Sequence, residues 1–171
     1  MEARAMEIPE VEKVVKSEGH IGLNNPVVHL KYKDLSVNSI IYRTDPDYPG
    51  TMGLNLVAGR WFEPDETQQT MIISRKLAER LNIQDPLETT LTIDSLKYTI
   101  VGLVEDFHQD IFYLEKSPVV FIPGVKESMN FLIVRTSPGD DLNVYEKLRS
   151  EWKVIAPDDP FEAIYQSEVM D

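Results

Sequence analysis

The apolar residues of this chain occur in short runs, and the length of these runs limits the possible folds. Residues 119–122 and 131–134 are two of the longest, and each holds four residues drawn from Val, Ile, Leu and Phe. Such a run suits a buried β-strand, whereas a membrane-spanning helix needs about 20 consecutive apolar residues. Residues 1–5 also lack the apolar core of a signal peptide. The sequence therefore predicts a globular chain, either a cytoplasmic protein or a soluble piece of a longer one.

Composition narrows the functional classes. The chain has 171 residues, of which 42% are hydrophobic, enough for one domain or two lobes with a buried core. It has no cysteine, which excludes disulfides, thiolate metal sites and cysteine nucleophiles. The formal net charge of −12 disfavours binding to nucleic acid or to anionic lipid, because their phosphates would repel the chain.

Strand-like segments are joined mainly by turns along most of the chain. The predicted strands are residues 11–15, 27–32, 37–43, 71–73, 91–93, 97–105, 118–122, 131–136 and 161–165. Residues 33–36 are short enough for a hairpin loop, Asp94 and Ser95 can turn, and residues 45–50 form a proline-rich turn cluster. Strands grouped in this way, with few helices between them, predict an α+β fold.

A first, short helix is predicted in the middle of the chain. Ser74 can cap its N-terminus, because a serine hydroxyl accepts a hydrogen bond from a free backbone N–H. Leu77, Ala78 and Leu81 then lie on one face of the helix. Asn82 tolerates the left-handed conformation that ends a helix, so the helix is predicted to stop near this residue.

A second helix is predicted near the C-terminus. Asp140 or Asp141 begins it, since negative charge is favourable at a helix N-terminus, and Pro157 ends it. Its apolar stripe consists of Leu142, Tyr145, Leu148, Trp152 and Ile155. The spacing predicts that this stripe packs the helix onto the sheet.

Asp106, His108 and Asp110 lie within five residues, at the end of a predicted strand. Oxygen and nitrogen ligands of this kind could bind a hard or borderline metal ion. A complete site needs further protein ligands, and the sequence has no spacing motif that supplies them. A capped turn after a strand is the favoured interpretation, with a metal site as the alternative.

The other histidines and the candidate nucleophile also favour structural roles. His20 and His29 are single histidines in a predicted loop and a predicted strand. Ser74 lies in no Gly-x-Ser-x-Gly motif and is explained by helix capping. Residues 19–22 lack the third glycine and the following helix of a phosphate-binding loop.

The segment after Arg60 offers no site either. Trp61 and Phe62 are predicted to lie in the core, and the acidic residues 63–66 are predicted to form a solvated loop. The sequence therefore predicts no catalytic, cofactor-binding or metal-binding residue, and no cofactor.

Several stretches carry a family pattern in their order and spacing. They are GRWF (residues 59–62), MIISRKLA (71–78), IQDPL (83–87) and YTIVGLVEDFH (98–108), followed by the segments 117–121, 131–135 and 152–162. From about residue 9 onward the chain resembles the MacB-like periplasmic core domain of MacB/FtsX-type ABC transporter permeases. In that family the four stretches form a "G-R-x-F" turn, a strand with an "N-E-x-x-A" helix, a "D-P-I-G" turn and a strand ending in "D-F-H". Glu88 and Ser74 depart from the pattern, standing where glycine and asparagine are usual.

The resemblance implies a domain of two lobes, placed between the first and second transmembrane helices of a permease. A porter-like lobe containing a βαβ unit would comprise residues 1–62 and 128–171 and lie near the membrane. An inserted, mainly β lobe with a short helix would comprise residues 63–127 and lie farther from the membrane. The chain would then be a soluble fragment of an integral membrane protein, at the periplasmic face of the inner membrane.

The resemblance also implies a function without catalysis in this domain. The permease would form a homodimer or heterodimer, work with a cytoplasmic ATPase subunit, and contact a periplasmic protein or lipoprotein. ATP-driven movement would pass through the membrane to this domain, by mechanotransmission, for export or extraction. Two alternatives stay open. One is an extracytoplasmic module that binds a ligand or peptide without transport coupling. The other is a free-standing hydrolase.

Overall fold

The computed structural model describes residues 1–23, 25–66, 69–107 and 116–169. It combines short helices with many strands, which confirms the predicted α+β class. The strands are β1 (Val11–Ser17), β2 (Val27–Tyr32), β3 (Leu35–Thr44), β4 (Leu56–Gly59), β5 (Thr70–Ser74), β6 (Thr90–Ile93), β7 (Leu96–Val104), β8 (Val119–Pro123) and β9 (Phe131–Thr136). The helices are α1 (Glu2–Met6), α2 (Tyr48–Thr51), α3 (Arg75–Arg80), α4 (Asp141–Ile155) and α5 (Gln166–Val169).

The chain forms two compact units. The first comprises Met1–Val15 and Leu132–Asp171, and the second is the continuous segment Lys16–Phe131. The family resemblance instead implies a lobe of residues 1–62 with 128–171 and an inserted lobe of residues 63–127. The boundaries differ because β2 and β3 hydrogen-bond to β6 and β8, so strands on both sides of residue 62 share one sheet. The assignment of a membrane-proximal and a membrane-distal lobe stays a prediction.

Six strands of the second unit close into a ring within the described residues. Their order is β2-β6-β7-β5-β8-β3, and a further pairing of β2 with β3 completes the circle. The β3–β8 and β5–β7 pairs are parallel, and the other neighbours are antiparallel. β6 pairs with the first half of β7, and β4 pairs with the end of the same strand. Because the ring is closed, each of these six strands has a hydrogen-bonded neighbour on both sides.

The core of the second unit draws side chains from all six strands of the ring. Residues two apart on one strand point to the same face, and such pairs supply most of the buried side chains. They include Met71 and Ile73, Leu91 and Ile93, Tyr98 and Ile100, and Val120 and Ile122. Leu77, Ala78 and Leu81 of α3 join the same cluster, which confirms the predicted apolar face of this helix.

The predicted cap and turns around α3 and the hairpins are present. The Ser74 hydroxyl accepts a hydrogen bond from the Leu77 N–H at 3.3 Å and another from the Val119 N–H at 3.1 Å. Asn82 adopts φ +53° directly after Leu81, the C-cap residue of α3. Asp94 and Ser95 both have positive φ between β6 and β7, the backbone geometry of a tight two-residue hairpin.

The first unit packs α4 against β1, β9 and α1. Val144 and Leu148 are the buried side chains of this helix, and they contact Ala5, Ile8 and Val14. The predicted stripe is therefore wrong in part, since it omitted Val144. Leu142 is 68% exposed and Ile155 is 42% exposed. The helix buries the face centred on Val144 and Leu148, because that face meets the sheet and α1.

The predicted strand 161–165 is not a strand. This segment has no regular secondary structure, and α5 begins directly after it. The Phe161 ring lies 5.4 Å from the Tyr145 ring and 6.5 Å from the Trp152 ring, measured between centroids. Aromatic contacts with α4, rather than strand pairing, thus partly bury this segment. This explains why residues 161–165 were predicted to form a strand and why the predicted stripe of α4 was wrong in part. Tyr145 and Trp152 pack on the chain's own C-terminal segment.

Candidate functional site

Asp106, the first of the three residues weighed as alternative metal ligands, caps a helix. Its Oδ1 accepts a hydrogen bond from the backbone N–H of Lys76, in the first turn of α3, at 2.7 Å. The neighbouring Glu105 forms an ion pair with Arg75 at 2.8 Å. Both carboxylates therefore lie at the positive end of the α3 dipole, where negative charge is favourable. This geometry gives Asp106 a structural role at the N-terminus of α3, whereas most of the capped turn predicted after the strand lies outside the described residues.

His108 and Asp110, the other two candidates, lie outside the described residues. Among the residues that the structure does describe, no three His, Asp or Glu side chains are grouped so as to hold a metal ion. Lys116 adds a positive charge to the same turn, and its Nζ donates to the Asp106 carbonyl oxygen at 2.7 Å. An ammonium group in this position would oppose the binding of a cation near Asp106.

His20 is a buried residue of the second unit. Its Nδ1 lies 3.2 Å from the Tyr48 hydroxyl oxygen, and its ring stacks on Phe131 with centroids 6.0 Å apart. The same hydroxyl accepts a hydrogen bond from the Ile21 N–H at 3.2 Å. Burial raises the pKa of the Tyr48 phenol well above its usual range, so the hydroxyl stays protonated and can donate to His20. This arrangement fixes a loop.

Asn25 holds the other side of that loop. Its Nδ2 donates to the carbonyl oxygens of His20 at 2.8 Å and Leu23 at 2.5 Å. A Cβ atom on Gly19 would lie only 2.2 Å from Asn25 Oδ1, so any side chain there would force the Asn25 amide to shift. Residues 19–22 are therefore a tightly packed turn. His29, by contrast, is exposed, and its Nδ1 lies 3.0 Å from Oδ1 of Asn38, its partner across β2 and β3.

The acidic loop 63–66 is tied to the GRWF stretch. Arg60 forms an ion pair with Glu66, and this hydrogen bond lowers the pKa of the Glu66 carboxyl and raises the pKa of the Arg60 guanidinium. The Glu66 side chain is only 7% exposed. The prediction of a solvated loop is thus wrong for Glu66, because its carboxylate is paired with Arg60 and is largely shielded from solvent. Phe62 is buried, as predicted.

Glycine has a steric role at the start of this stretch. Gly59 adopts φ +77°, and a Cβ atom there would lie 2.2 Å from the Val101 carbonyl oxygen. The Arg60 N–H donates to the same oxygen at 3.0 Å. β4 can therefore approach β7 closely only because residue 59 has no side chain.

The residues of these motifs thus hold turns together. The sequence model of one family, described as the MacB-like periplasmic core domain, matches residues 1–150. The chain belongs to this family. As a MacB-like periplasmic core domain, it is part of an ABC transporter permease. No curated protein sequence matches it.

Solved structures share the fold of this MacB-like domain. The extracellular domain of the noncanonic ABC-type transporter YknZ from Gram-positive bacteria aligns with a TM-score of 0.67 and 16% identity, covering 91% of this chain and 83% of that one. The periplasmic region of MacB from Actinobacillus actinomycetemcomitans gives 0.65 and 17%, covering 90% and 72%. A domain of a putative permease from Porphyromonas gingivalis gives 0.65 and 20%, covering 95% and 82%. None of the described helices of this chain is long and apolar enough to cross a bilayer.

One departure from the family pattern is resolved by the backbone. Glu88 stands where glycine is usual in MacB-like domains, and it adopts φ +63°. This is the left-handed region, which glycine enters without steric cost. Its N–H donates to the Ile100 carbonyl oxygen at 3.0 Å, so the turn is anchored to β7. Glu88 therefore occupies a backbone conformation that favours glycine.

Sequence reasoning missed the buried Tyr48, the half-buried Asn25 and the buried side chain of Glu66. Tyr48 lies in a proline-rich turn cluster, where an exposed side chain is the usual expectation. Asn25 precedes a proline, a pattern typical of turns. The spacing of these residues does not indicate their contacts. Tyr48 depends on His20, which is distant in sequence, whereas Asn25 and Glu66 bond to residues only a few positions earlier.

Proposed function

We propose that this domain receives ATP-driven movement from the membrane part of its permease and passes it to a substrate or partner on the periplasmic side. Family membership supports a permease as the whole protein. The observation that carries the mechanical part is that both ends of the chain belong to the same compact unit. Two membrane helices joined to those ends would then act on one packed body. The second unit, free of that attachment, would offer its loops to partners.

The proposal extends to the assembly. The permease dimerises, works with a cytoplasmic ATPase subunit, and places this domain at the periplasmic face of the inner membrane. The contacts described above favour a mechanical role over catalysis, since the residues that carry the family motifs cap helices and close turns. Asp106 and Ser74 are examples, because their oxygen atoms are engaged by backbone N–H groups.

The test uses the full-length permease with its ATPase in lipid nanodiscs. Deuterium uptake of this domain is measured with ADP and with ATP, in a variant whose ATPase catalytic glutamate is replaced by glutamine so that the ATP state persists. We expect uptake to change in the segments 1–15 and 132–169 when ATP replaces ADP. A permease without ATPase serves as the control and should show no change. Identical uptake in both nucleotide states, with normal ATP binding, would overturn the proposal.

A further inference from the structure

Helix α4 is the element that both chain ends contact within the first unit. From the N-terminal side, Ala5 and Ile8 pack in the cluster of Val144 and Leu148. Arg4 also forms an ion pair with Glu151, one turn after Leu148. Val144 and Leu148 are four residues apart, so they lie on one face of the helix, and Glu151 continues that face.

From the C-terminal side, an aromatic segment packs on the same helix. Phe161 contacts Tyr145 and Trp152, and the Tyr165 ring lies 6.0 Å from the Tyr145 ring. The Trp152 Nε1–H donates to the Asp159 carbonyl oxygen at 3.0 Å, which holds the start of the segment against the helix. Tyr145 and Trp152 are seven residues apart, two turns, and so form a second stripe along α4.

The two stripes are adjacent, and one side chain joins them. Tyr145 directly follows Val144, so the two faces are about 100° apart around the helix axis. Phe161, which packs on Tyr145 and Trp152, also packs against the cluster that contains Ala5 and Val144. Interdigitated side chains of this kind transmit displacement, because a packed core has little room to deform.

We propose that α4 couples the two chain ends, so that loosening one end loosens the other. The group of contacts from Arg4, Ala5 and Ile8 on one stripe and from Phe161 and Tyr165 on the other is called the α4 clamp. Its significance for transport rests on the proposed function, since only in a permease would a membrane helix adjoin each end. The coupling itself is a property of this chain.

The first experiment measures native-state amide hydrogen exchange in the chain after Phe161→Ala. The readout is the Ile8 and Val11 amides, which donate to the carbonyl oxygens of Ala5 and Ile8 at 3.2 Å and 3.0 Å. We expect their exchange to quicken about tenfold, a coupling typical of residues that share partners. The matched control is Ile164→Ala, in the same segment but 62% exposed, which should leave these amides unchanged.

Two outcomes would overturn the clamp. In one, Phe161→Ala quickens exchange only in residues 157–169, which would make the two ends independent. In the other, every amide quickens equally, including those of β5 in the second unit, which would mean that the variant only destabilises the whole chain. Phe161→Leu keeps an apolar side chain without the ring, and under the proposal it should give a smaller increase at Ile8 than Phe161→Ala.

The reciprocal measurement starts from the N-terminal side. Arg4→Ala removes the ion pair with Glu151 and should raise the exchange of the Trp152 indole N–H by a few-fold. No change at this indole would count against the clamp. None of these readouts involves transport. If the clamp is confirmed in the chain, but deuterium uptake of the domain in the permease is the same with ADP and ATP, the proposed function is wrong. The coupling through α4 would still hold.

Discussion

Glu88 occupies a backbone conformation that suits glycine better than glutamate. A non-glycine residue in the left-handed region costs about 1–2 kcal/mol relative to the right-handed one. Glu88 sits at φ +63° and is held there by its hydrogen bond to Ile100. That residue 88 is not glycine could be read from the sequence, but the effect on the turn could not, because either the turn could differ or Glu88 could adopt the left-handed conformation.

Replacing Glu88 by glycine should stabilise the chain. The relief of strain is partly offset by the greater freedom of glycine in the unfolded state, so we expect a gain of about 0.5–1 kcal/mol in the free energy of unfolding. Urea denaturation measures this gain. Glu88→Ala is the matched control, since it removes the carboxylate but keeps the strain, and it should give no comparable gain. If both variants are equally stabilised, charge rather than backbone strain explains the effect.

Two buried tyrosines make the stability of the chain depend on alkaline pH. Burial raises the pKa of the Tyr42 phenol, as it does for Tyr48, above the ordinary value of about 10. A group with a raised pKa in the folded state stabilises the fold fully below its unfolded pKa, and this contribution is lost as the pH rises toward the folded value. Stability should therefore fall above about pH 10.

Tyr42→Phe isolates one of these contributions. The Tyr42 hydroxyl makes one long contact, 3.4 Å from Asn25 Nδ2, so its removal costs little at neutral pH. Between pH 10 and pH 11 the variant should lose about 1 kcal/mol less stability than the parent chain, because one ionisable group is gone. Urea unfolding at several pH values tests this. Parallel pH profiles for parent and variant would contradict it.

At the scale of elements, the hydrophobic pattern predicted most strands and both longer helices. It predicted less well which side chains of those elements are buried. The strand positions follow from short β-branched runs, and the face of α3 follows from the spacing of Leu77, Ala78 and Leu81. The face of α4 could not be chosen correctly, because Val144 and Tyr145 lie on neighbouring stripes and both stripes carry apolar residues. Which stripe meets the sheet depends on the contacts of α4 with α1 and with the C-terminal segment. The periodicity of the helix sequence carries no information about these contacts.

Alanine substitutions along α4 should rank the two stripes. Leu148→Ala should cost about 2–4 kcal/mol, since its side chain is buried among Ala5, Ile8 and Val14. Trp152→Ala should cost about 1–2 kcal/mol, because a half-buried side chain loses one ring contact and one hydrogen bond. Leu142→Ala, at an exposed position, should change stability by less than about 0.5 kcal/mol.

Chemical denaturation gives this ranking directly. A cost for Leu142→Ala equal to that for Leu148→Ala would restore the stripe predicted from spacing. A Trp152→Ala cost of about 3–5 kcal/mol, as for a large aromatic residue deep in a core, would do the same.

At the scale of the whole chain, the family could be recognised from ordered motifs, whereas the division into units could not. The cap that Ser74 places on α3 could be predicted, because Ser74 acts on the helix that directly follows it. The contacts of Gly59 with Val101 and of Asp106 with Lys76 could not, because these partners lie far apart in the sequence. The unit boundaries depend on which strands pair across long stretches of chain. β2 pairs with β6 across a long stretch of sequence, as the Leu30–Ile93 and Lys31–Thr92 pairs show. No local pattern specifies such a pairing.

Excised segments would decide between the two divisions. Residues 16–131 keep every strand of the ring, and with them the cluster that contains Leu30, Ile41, Ile73 and Val120. Residues 63–127 lose β2 and β3, which removes Leu30 and Ile41 from the core and leaves β6 and β8 each with an unpaired edge. Unpaired edges invite association with other chains. We therefore expect residues 16–131 to unfold in one cooperative urea transition with dispersed amide resonances, and residues 63–127 to show neither. Cooperative unfolding of residues 63–127 alone would instead support the inserted lobe that the family resemblance implies.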